Sequence, residues 1–169
     1  IDLGIETQLA DSRHLIRTDR TFNNARVNVP VTEANIQAYF KKNKALTIVP
    51  GFIASTDRGE VSTLGRGGSD YTAAIYAAAL NAKELEIWTD VDGVLTANPK
   101  VVRRAIPIPL LSYDEAMELS YFGAKVIYPP TIQPALDKGI PIIIKNTFNV
   151  AAPGTRITAK LEGDEIVFA

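Results

Sequence analysis

The stretch TLGRGGSDYTAAIYAAALNA, Thr63–Ala82, joins a glycine-rich turn to a run of helix-forming residues. Six of the thirteen residues from Asp70 to Ala82 are alanine, the residue of highest helix propensity, so a helix is predicted from Tyr71 onward. Three glycines precede it, and glycine suits a backbone that approaches another group closely or adopts a positive φ. The stretch therefore predicts a well-defined helix start with little steric hindrance in front of it.

The start of this helix has the chemistry of an anion site. A first helical turn carries unpaired N–H groups and the positive end of the helix dipole. Arg66 adds a guanidinium, whose forked donors match a carboxylate or a phosphate, and Ser69 and Asp70 suit the cap and first turn. The alternative is an ordinary tight turn capped by Ser69 or Asp70, which the glycines alone would favour. Arg66 and Asp70 beside the glycines favour the ligand site.

Outward from this stretch, helical and strand-like segments alternate. Extended segments are predicted at 8–16 and 25–29, a helix from Thr32 to about Lys42, and a buried strand at 45–53. Beyond the alanine-rich helix the predicted segments are a strand at 84–89, a helix from a Ser112–Glu115 capping box to Phe122, a helix at 130–138, a strand at 141–145 and a hairpin-like end at 155–169. This alternation predicts an α/β fold with a mostly parallel sheet, in which ligands lie beyond the carboxyl ends of strands.

Composition argues against several classes of protein. The 169 residues are 46% hydrophobic and 22% charged, enough for one compact domain with a core. A net charge of −1 offers no broad basic surface to nucleic acid, and no apolar run is as long as a membrane span. Cysteine is absent, and the single histidine, His14, lies in a strand-like segment where a packing role is expected. We therefore expect a cytoplasmic protein with no nucleic-acid or membrane partner and no protein-held metal.

The segment ELEIWTDVDGVLTANPK, 84–100, leaves its predicted strand through a polar loop. Thr89, Asp90 and Asp92 follow the strand directly. Oxygen acceptors at the carboxyl end of a buried strand can meet a ribose or a base amino group, and Lys100 follows within reach of a phosphate. The alternatives are an ordinary Asp-Gly turn and a metal held by Asp90 and Asp92. We interpret the loop as one edge of a nucleotide site.

The segment FGAKVIYPPT, Phe122–Thr131, places Lys125 between two predicted helices. Gly123 ends the first helix, and a pair of prolines sets the start of the second. A loop lysine is most often solvated, but this position near the strand ends favours a role at a phosphate. The sequence contains no GxxxxGK[ST] pattern, so a P-loop does not supply the phosphate site.

Three motifs, in this order, resemble those of the aspartate kinases within the amino acid kinase family. GRGGSDYTAA, WTDVDGV and FGAKVIYP carry the resemblance, which runs from about Leu15 to Ile157. The wording of SYDEAMELSYFGAK and IKNTFNVAAPGT is most similar to the kinase domain of bifunctional aspartokinase–homoserine dehydrogenases. The resemblance implies a three-layer αβα sandwich about a mostly parallel sheet, in agreement with the alternation of segments.

The resemblance also implies a role for individual positions. The implied substrate-binding positions are Arg66, which would hold a substrate carboxylate, Gly67, Gly68 and Ser69. The implied catalytic positions are Asp70, which would order the cations around the transferred phosphate, and Lys125. The implied ATP-lining positions are Thr89, Asp90, Leu95, Lys100, Lys125 and Val126. The family commonly has tyrosine in place of Leu95 and arginine in place of Lys100, so ring packing and forked hydrogen bonding are reduced here.

Two parts of the family pattern do not occur in this chain. One is the opening loop of the type KFGGTS, whose lysine binds phosphate, together with a later glutamate that helps bind the amino acid. The other is the carboxyl-terminal regulatory domains of the ACT type. We therefore expect residues 1–169 to be the carboxyl-terminal, ATP-side portion of a single amino acid kinase domain, inactive alone, from a longer protein that forms a homo-oligomer.

The activity implied by the resemblance is ATP-dependent phosphorylation of the L-aspartate side chain to 4-phospho-L-aspartate, in lysine, threonine and methionine biosynthesis. That carboxylate is ionised at neutral pH, so its attack on the γ-phosphate needs no general base and the task is to bring two anions together. Magnesium bound through the phosphates, lysines and helix N-termini would stabilise the transferred charge. Two alternatives stay open: a kinase for glutamate, N-acetylglutamate, carbamate or UMP, and a non-catalytic nucleotide-binding or interaction module.

Overall fold

The protein is described here by a computed structural model over residues 4–98, 101–121 and 127–159. The chain divides into two compact units, Ile1–Leu80 and Asn81–Ala169. The described elements of the first unit are β1 (Thr7–Leu9), α1 (Ser12–Leu15), β2 (Arg17–Thr18), α2 (Val29–Lys42), β3 (Leu46–Ile48), β4 (Ile53–Thr56), β5 (Val61–Thr63) and α3 (Gly68–Leu80). Those of the second unit are β6 (Leu85–Thr89), β7 (Leu110–Ser112), α4 (Tyr113–Tyr121), α5 (Pro129–Asp137), β8 (Ile142–Asn146) and β9 (Thr155–Thr158).

The first unit packs two helices beside short strands. β1 pairs in parallel with β3, while a second sheet has the order β2–β4–β5, with β2 parallel and β5 antiparallel to β4. Helices α2 and α3 contact each other, and the side-chain amide of Gln37 donates to the Ala79 carbonyl at 3.0 Å. Ile16, Ile36 and Ile75 lie in the buried cluster that these elements share. The small residues of α3 allow this close packing because alanine adds little side-chain volume.

The second unit is built on a four-stranded sheet of order β6–β8–β9–β7. β6 runs parallel to β8 and β7 parallel to β9, whereas β8 and β9 are antiparallel. Ile142, Ile144 and Ile157 are fully buried on alternate positions of β8 and β9. Of the six strand pairings among the described residues, four are parallel. The predicted α/β fold with mostly parallel pairing is therefore confirmed.

Several predicted element boundaries are confirmed closely. β6, β8 and α5 begin and end within one residue of the predicted segments. The capping box is also present, since the Ser112 N–H donates to Glu115 Oε2 at 2.7 Å and the Glu115 N–H donates to Ser112 Oγ at 3.2 Å. The predicted end of α4 at Phe122 and Gly123, and the second arm of the predicted terminal hairpin, lie outside the described residues.

The extended segment predicted at 8–16 is wrong in its second half. Asp11 ends the strand by accepting a hydrogen bond from the Arg13 N–H at 2.9 Å, and this N-cap starts the single-turn helix α1. His14 lies exposed in that helix rather than in a strand. At 25–29 the only pairing in the described chain is one antiparallel bridge between Thr18 and Val27. The Ala25 N–H also donates to the Thr63 carbonyl at 3.0 Å. Such short elements are fixed by a cap or a few backbone hydrogen bonds and leave no periodic signal.

Two helix starts were predicted too late. α2 begins at Val29 rather than Thr32, because the Asn28 side chain accepts a hydrogen bond from the Val31 N–H at 3.4 Å. Thr32 is instead fully buried, and its hydroxyl accepts from the Arg17 N–H at 3.1 Å. α3 begins at Gly68 rather than Tyr71, so the last glycine belongs to the helix itself.

The predicted buried strand 45–53 is wrong in both length and burial. β3 and β4 are separate strands, divided by a turn in which Phe52 has a φ of 73°. Leu46 and Ile48 are 60% and 58% exposed, although an apolar strand in a parallel sheet normally has both faces covered. The apolar run therefore predicted extended structure but neither the break at Phe52 nor the exposure of β3.

Gly154, which directly precedes β9, adopts a backbone conformation that favours glycine. Its φ is 78°, and a Cβ atom at this position would overlap the carbonyl oxygen of Ile144 on β8. Gly154→Ala is expected to lower the free energy of unfolding by about 3 kcal/mol or more, because left-handed strain adds to a backbone clash. Calorimetric or urea unfolding measures the loss. Gly139→Ala is the matched control, since Gly139 has a φ of 66° with nothing within 4 Å of its added Cβ, and equal losses for both variants would contradict the clash.

Among the described helices, none combines the length and the apolar character needed to cross a lipid bilayer.

Candidate functional site

In the first unit the glycine-rich turn is held in a backbone conformation that favours glycine. Gly65 and Gly67 have φ values of 76° and 68°, in the left-handed region. The Gly68 N–H donates to the Gly65 carbonyl at 3.1 Å, and the Tyr71 N–H donates to the Gly67 carbonyl at 2.9 Å. A Cβ on Gly65 would also come within 2.5 Å of the Asn24 side-chain oxygen. The glycines thus give both the turn and the close approach that the sequence predicted.

A second loop packs directly against this turn. A Cβ on Gly51 would come within 2.9 Å of Ser69 Cα, and one on Gly68 would come within 2.6 Å of the Phe52 ring. The Phe52 N–H donates to Thr72 Oγ1 at 3.0 Å, which ties the loop to the first turns of α3. Phe52 has a positive φ and is 41% exposed, a combination found where surrounding contacts fix a strained backbone. Sequence reasoning missed this loop, although its Pro-Gly pair is a turn signal.

The predicted substrate-site side chains surround the start of α3. Arg66 and Ser69 are exposed, and Asp70 stands in the first helical turn. Asp70 is partly buried, and this burial raises the pKa of its carboxyl above the ordinary value. Within the described part of the chain, its carboxylate makes no hydrogen bond or ion pair. The helix dipole favours a carboxylate in a first helical turn, so what distinguishes Asp70 is its partial burial without a hydrogen-bonding partner among the described residues.

The position of this turn differs from the predicted one. We expected each loop of interest beyond the carboxyl ends of parallel strands, but β5 is antiparallel to β4, and Thr63 pairs with Ile53. The turn therefore lies where β4 begins, which makes the expectation wrong for this sheet. It lies instead beside the Gly51 loop, which follows β3, and β3 is parallel to β1. The hairpin of β4 and β5 reverses the chain and returns it to the end of β3.

In the second unit, the polar loop follows β6 as predicted. Thr89 is the last residue of that strand and is opposite Asn146, the last residue of the parallel strand β8. The Thr89 hydroxyl donates to Asp90 Oδ1 at 3.2 Å, and Asp90 is exposed. Leu95 is partly buried and forms an antiparallel bridge with Pro107. The partly buried Thr89 and the exposed Asp90 thus lie at the carboxyl end of a parallel pair, where ligands bind in open α/β sheets.

Asp92, which the sequence left open as a metal ligand, has a different environment. Its Oδ1 accepts hydrogen bonds from the side-chain amides of Asn146 at 2.8 Å and Asn149 at 3.1 Å. Neither amide was singled out from the sequence, because both lie more than fifty residues away along the chain. In the described residues no three His, Cys, Asp or Glu side chains are grouped to hold a metal ion. Asp92 therefore anchors its loop to the segment that follows β8.

Three predicted site residues, Lys100, Lys125 and Val126, lie outside the described residues. The remaining predicted positions fall into two groups, one in each unit. Arg66, Gly67, Gly68, Ser69 and Asp70 form the first, around the start of α3, and Thr89, Asp90 and Leu95 form the second, after β6. Their assignment to substrate or nucleotide stays a prediction.

Comparison with known proteins identifies the family. The sequence pattern of the amino acid kinase family matches residues 2–146. The chain belongs to the amino acid kinase family. Relatives of this chain within that family are named as aspartokinases, as the three motifs predicted. The bifunctional aspartokinase/homoserine dehydrogenase of Haemophilus influenzae is 52% identical over 129 residues, which are 76% of this chain and 16% of that protein.

A second relative and a solved structure agree with this resemblance. Lysine-sensitive aspartokinase 3 of Escherichia coli is 40% identical over 160 residues, which are 94% of this amino acid kinase chain and 36% of the relative. The crystal structure of E. coli aspartokinase III with aspartate and ADP has a TM-score of 0.86 and covers 95% of this chain. The predicted resemblance and fold class are thus confirmed. The chain spans 16% and 36% of the lengths of these two relatives, so the activity of the whole protein is a separate question.

Proposed function

We propose that this chain is the carboxyl-terminal, nucleotide-side portion of an aspartate kinase domain. The whole protein would transfer the γ-phosphate of ATP to the side-chain carboxylate of L-aspartate and form 4-phospho-L-aspartate. The E. coli structure that resembles the chain at 40% identity is described as a complex with aspartate and ADP. One observation of this chain carries the proposal. The turn before α3 combines an exposed Arg66 with a partly buried Asp70, whose carboxylate has no hydrogen-bond or ion-pair partner among the described residues.

The turn before α3 suits an amino acid that carries two carboxylates. The helix N-terminus and the Arg66 guanidinium both attract an anion, and the guanidinium can bind a carboxylate through two hydrogen bonds. Gly67 places no side chain in front of the helix and Ser69 adds an exposed hydroxyl, whereas Gly68 is buried against Phe52. Asp70 would repel a carboxylate, so its role is to attract and orient cationic groups at the phosphate. These features together supply the positioning and charge balance that phosphoryl transfer to a carboxylate requires.

The loop after β6 suits a nucleotide. Asp90 and the Thr89 hydroxyl are acceptors that can hold ribose or base donors, and the apolar Leu95 follows them along the loop. Magnesium bound with the nucleotide would neutralise phosphate charge, and the exposed Asp90 carboxylate is the kind of oxygen ligand that this ion and its bound waters prefer. We also propose Lys100, Lys125 and Val126 as further ATP-lining positions, Lys125 as catalytic, a homo-oligomeric full-length protein and a cytoplasmic location.

An aspartyl-hydroxamate assay with the full-length protein tests the proposal. We expect an ATP- and magnesium-dependent hydroxamate product from L-aspartate and none from glutamate or N-acetylglutamate. Coupled measurement of ADP release is expected to show no phosphoryl transfer to carbamate or UMP at the same concentration. Phosphorylation of one of those acceptors would instead assign the whole protein to another kinase of the same family. Mg-ATP binding by calorimetry without any turnover would instead favour a non-catalytic module. The 169-residue chain alone is expected to show no turnover, because the phosphate-binding lysine loop is not part of its sequence.

A further inference from the structure

Hydrogen bonds hold the loop that carries Thr89 and Asp90 at three points. Their partners lie at the end of β8, in the segment that follows it and at the start of β9. The first is the backbone of β6, since the Thr147 N–H donates to the Thr89 carbonyl at 2.8 Å. The second is Asp92, whose Oδ1 accepts from Asn146 and Asn149. The exposed Asp90 lies between these two ties along the chain, so both ends of the short stretch that carries it are fixed.

The third tie is the start of β9. The Val94 N–H donates to Thr155 Oγ1 at 2.8 Å, and that hydroxyl donates in turn to the Ile108 carbonyl at 2.6 Å. Gly93 has a φ of 133°, and a Cβ there would overlap Thr155 Oγ1. The loop backbone therefore lies directly against β9, and its course depends on residues far away in sequence.

The orientation of the Asn146 amide follows from its neighbours. Asn146 is 9% exposed, and its side-chain oxygen accepts a hydrogen bond from the Phe148 N–H at 2.9 Å. Its NH₂ group is therefore directed to Asp92, because only this orientation satisfies both partners. Asn149 adds a second neutral donor to the same carboxylate oxygen. A metal ion at that oxygen would have to displace two amides, one of them buried.

We infer that Asp92, held by Asn146 and Asn149, is a positioning residue for the nucleotide loop and not a metal ligand. The inference rests on the proposed nucleotide role of Thr89 and Asp90. Asp92 acts through the loop rather than on the substrates. Its loss leaves the Asp90 loop attached to the sheet at fewer points and so weakens nucleotide binding, while the amino acid site in the other unit keeps its own contacts.

Three variants of the full-length protein test the inference. Asp92→Ala is expected to raise the KM for ATP by about tenfold and Asn149→Ala by about threefold, because Asn146 still holds Asp92 in the second variant, and both should keep the KM for aspartate within about twofold of the parent. Asn149 is exposed, so its truncation opens no buried cavity and keeps the test valid if Asp92→Ala does not fold. The matched control is Asp114→Asn, which removes one exposed carboxylate from α4 in the same unit. A rise in the KM for aspartate equal to that for ATP would overturn the inference.

Two further measurements separate positioning from other roles. The double variant Asp92→Ala/Asn149→Ala is expected to bind ATP about as weakly as Asp92→Ala alone, because Asn149 acts only through Asp92. The magnesium concentration for half-maximal rate, at fixed ATP, is expected to be unchanged in Asp92→Asn, and a large increase would mark Asp92 as a metal ligand. Calorimetry with Mg-ATP measures the loss of ATP affinity in these variants directly, whichever acceptor the enzyme uses. A protein that does not phosphorylate aspartate can therefore still support or contradict this inference.

Discussion

Replacement of Arg66 by alanine in the full-length protein is expected to lower kcat/KM for aspartate by about 100-fold or more, because a two-point hydrogen bond to a carboxylate is lost. The loss should appear chiefly in the KM for aspartate, with the KM for ATP changed far less. Arg66→Lys is expected to fall between parent and alanine variant, since lysine keeps the charge but not the planar fork. Initial rates with each substrate varied in turn measure these effects.

The matched control for Arg66 is Arg58, which lies exposed in the turn between β4 and β5 of the same unit. Arg58→Ala removes the same charge from the same unit and is expected to leave both KM values within about twofold of the parent. If Arg66→Ala behaved like this control, the guanidinium would not be holding a substrate carboxylate. If Arg66→Ala raised the KM for ATP alone, the turn before α3 would belong to the nucleotide.

Local signals account for the parts of the fold that the sequence predicted well. The Ser112–Glu115 capping box marks the start of α4, and the alanine-rich run shows the helical preference of α3, although not its first turn. The β6 and β8 strands are apolar runs with clear ends. For such segments the nearest neighbours in sequence decide the backbone conformation, so tertiary contacts do not override the prediction.

Non-local contacts account for what was missed. β7 is three residues long and is a strand because β9, more than forty residues later, pairs with it. The break at Phe52 depends on a positive φ that its N–H stabilises by bonding to Thr72, and no composition signal marks a phenylalanine for that conformation. The exposed face of β3 likewise depends on what packs there, which apolarity alone does not predict.

The candidate site likewise contains residues grouped in the sequence and residues brought together only by the fold. Arg66, the glycines and Asp70 are neighbours in sequence, so their grouping could be predicted before the structure was known. The support for the nucleotide loop could not, because Asp92 meets its two asparagine partners only once β6 and β8 pair. Sequence alone placed Asp92 in a loop interpreted as one edge of a nucleotide site, with an ordinary turn and a metal site as alternatives, and did not predict what holds it. Its hydrogen bonds favour an anchoring role over both.

Asp70→Asn is expected to lower kcat by about 100-fold or more, because a charge that orders cations around the transferred phosphate is lost while the side-chain shape is kept. The KM for aspartate should change much less than kcat, in contrast to Arg66→Ala. Asp57→Asn is the matched control, since Asp57 is an exposed carboxylate in the turn after β4 of the same unit. Equal rates for the Asp70 variant and this control would contradict a catalytic role.

Asp70→Asn is expected to raise the thermal stability of the protein while it lowers kcat. Burial raises the pKa of Asp70, so the folded protein holds that proton more tightly than the unfolded chain does, and stability is lost as pH rises from the ordinary value through the raised pKa. At neutral pH the parent carries this unfavourable charge and the asparagine variant does not. We therefore expect Asp70→Asn to unfold at a higher temperature than the parent at pH 7, with the difference shrinking as pH falls toward 3.8. A variant that lost activity through structural damage would unfold at a lower temperature, so higher stability with lower kcat would indicate a carboxylate retained for catalysis.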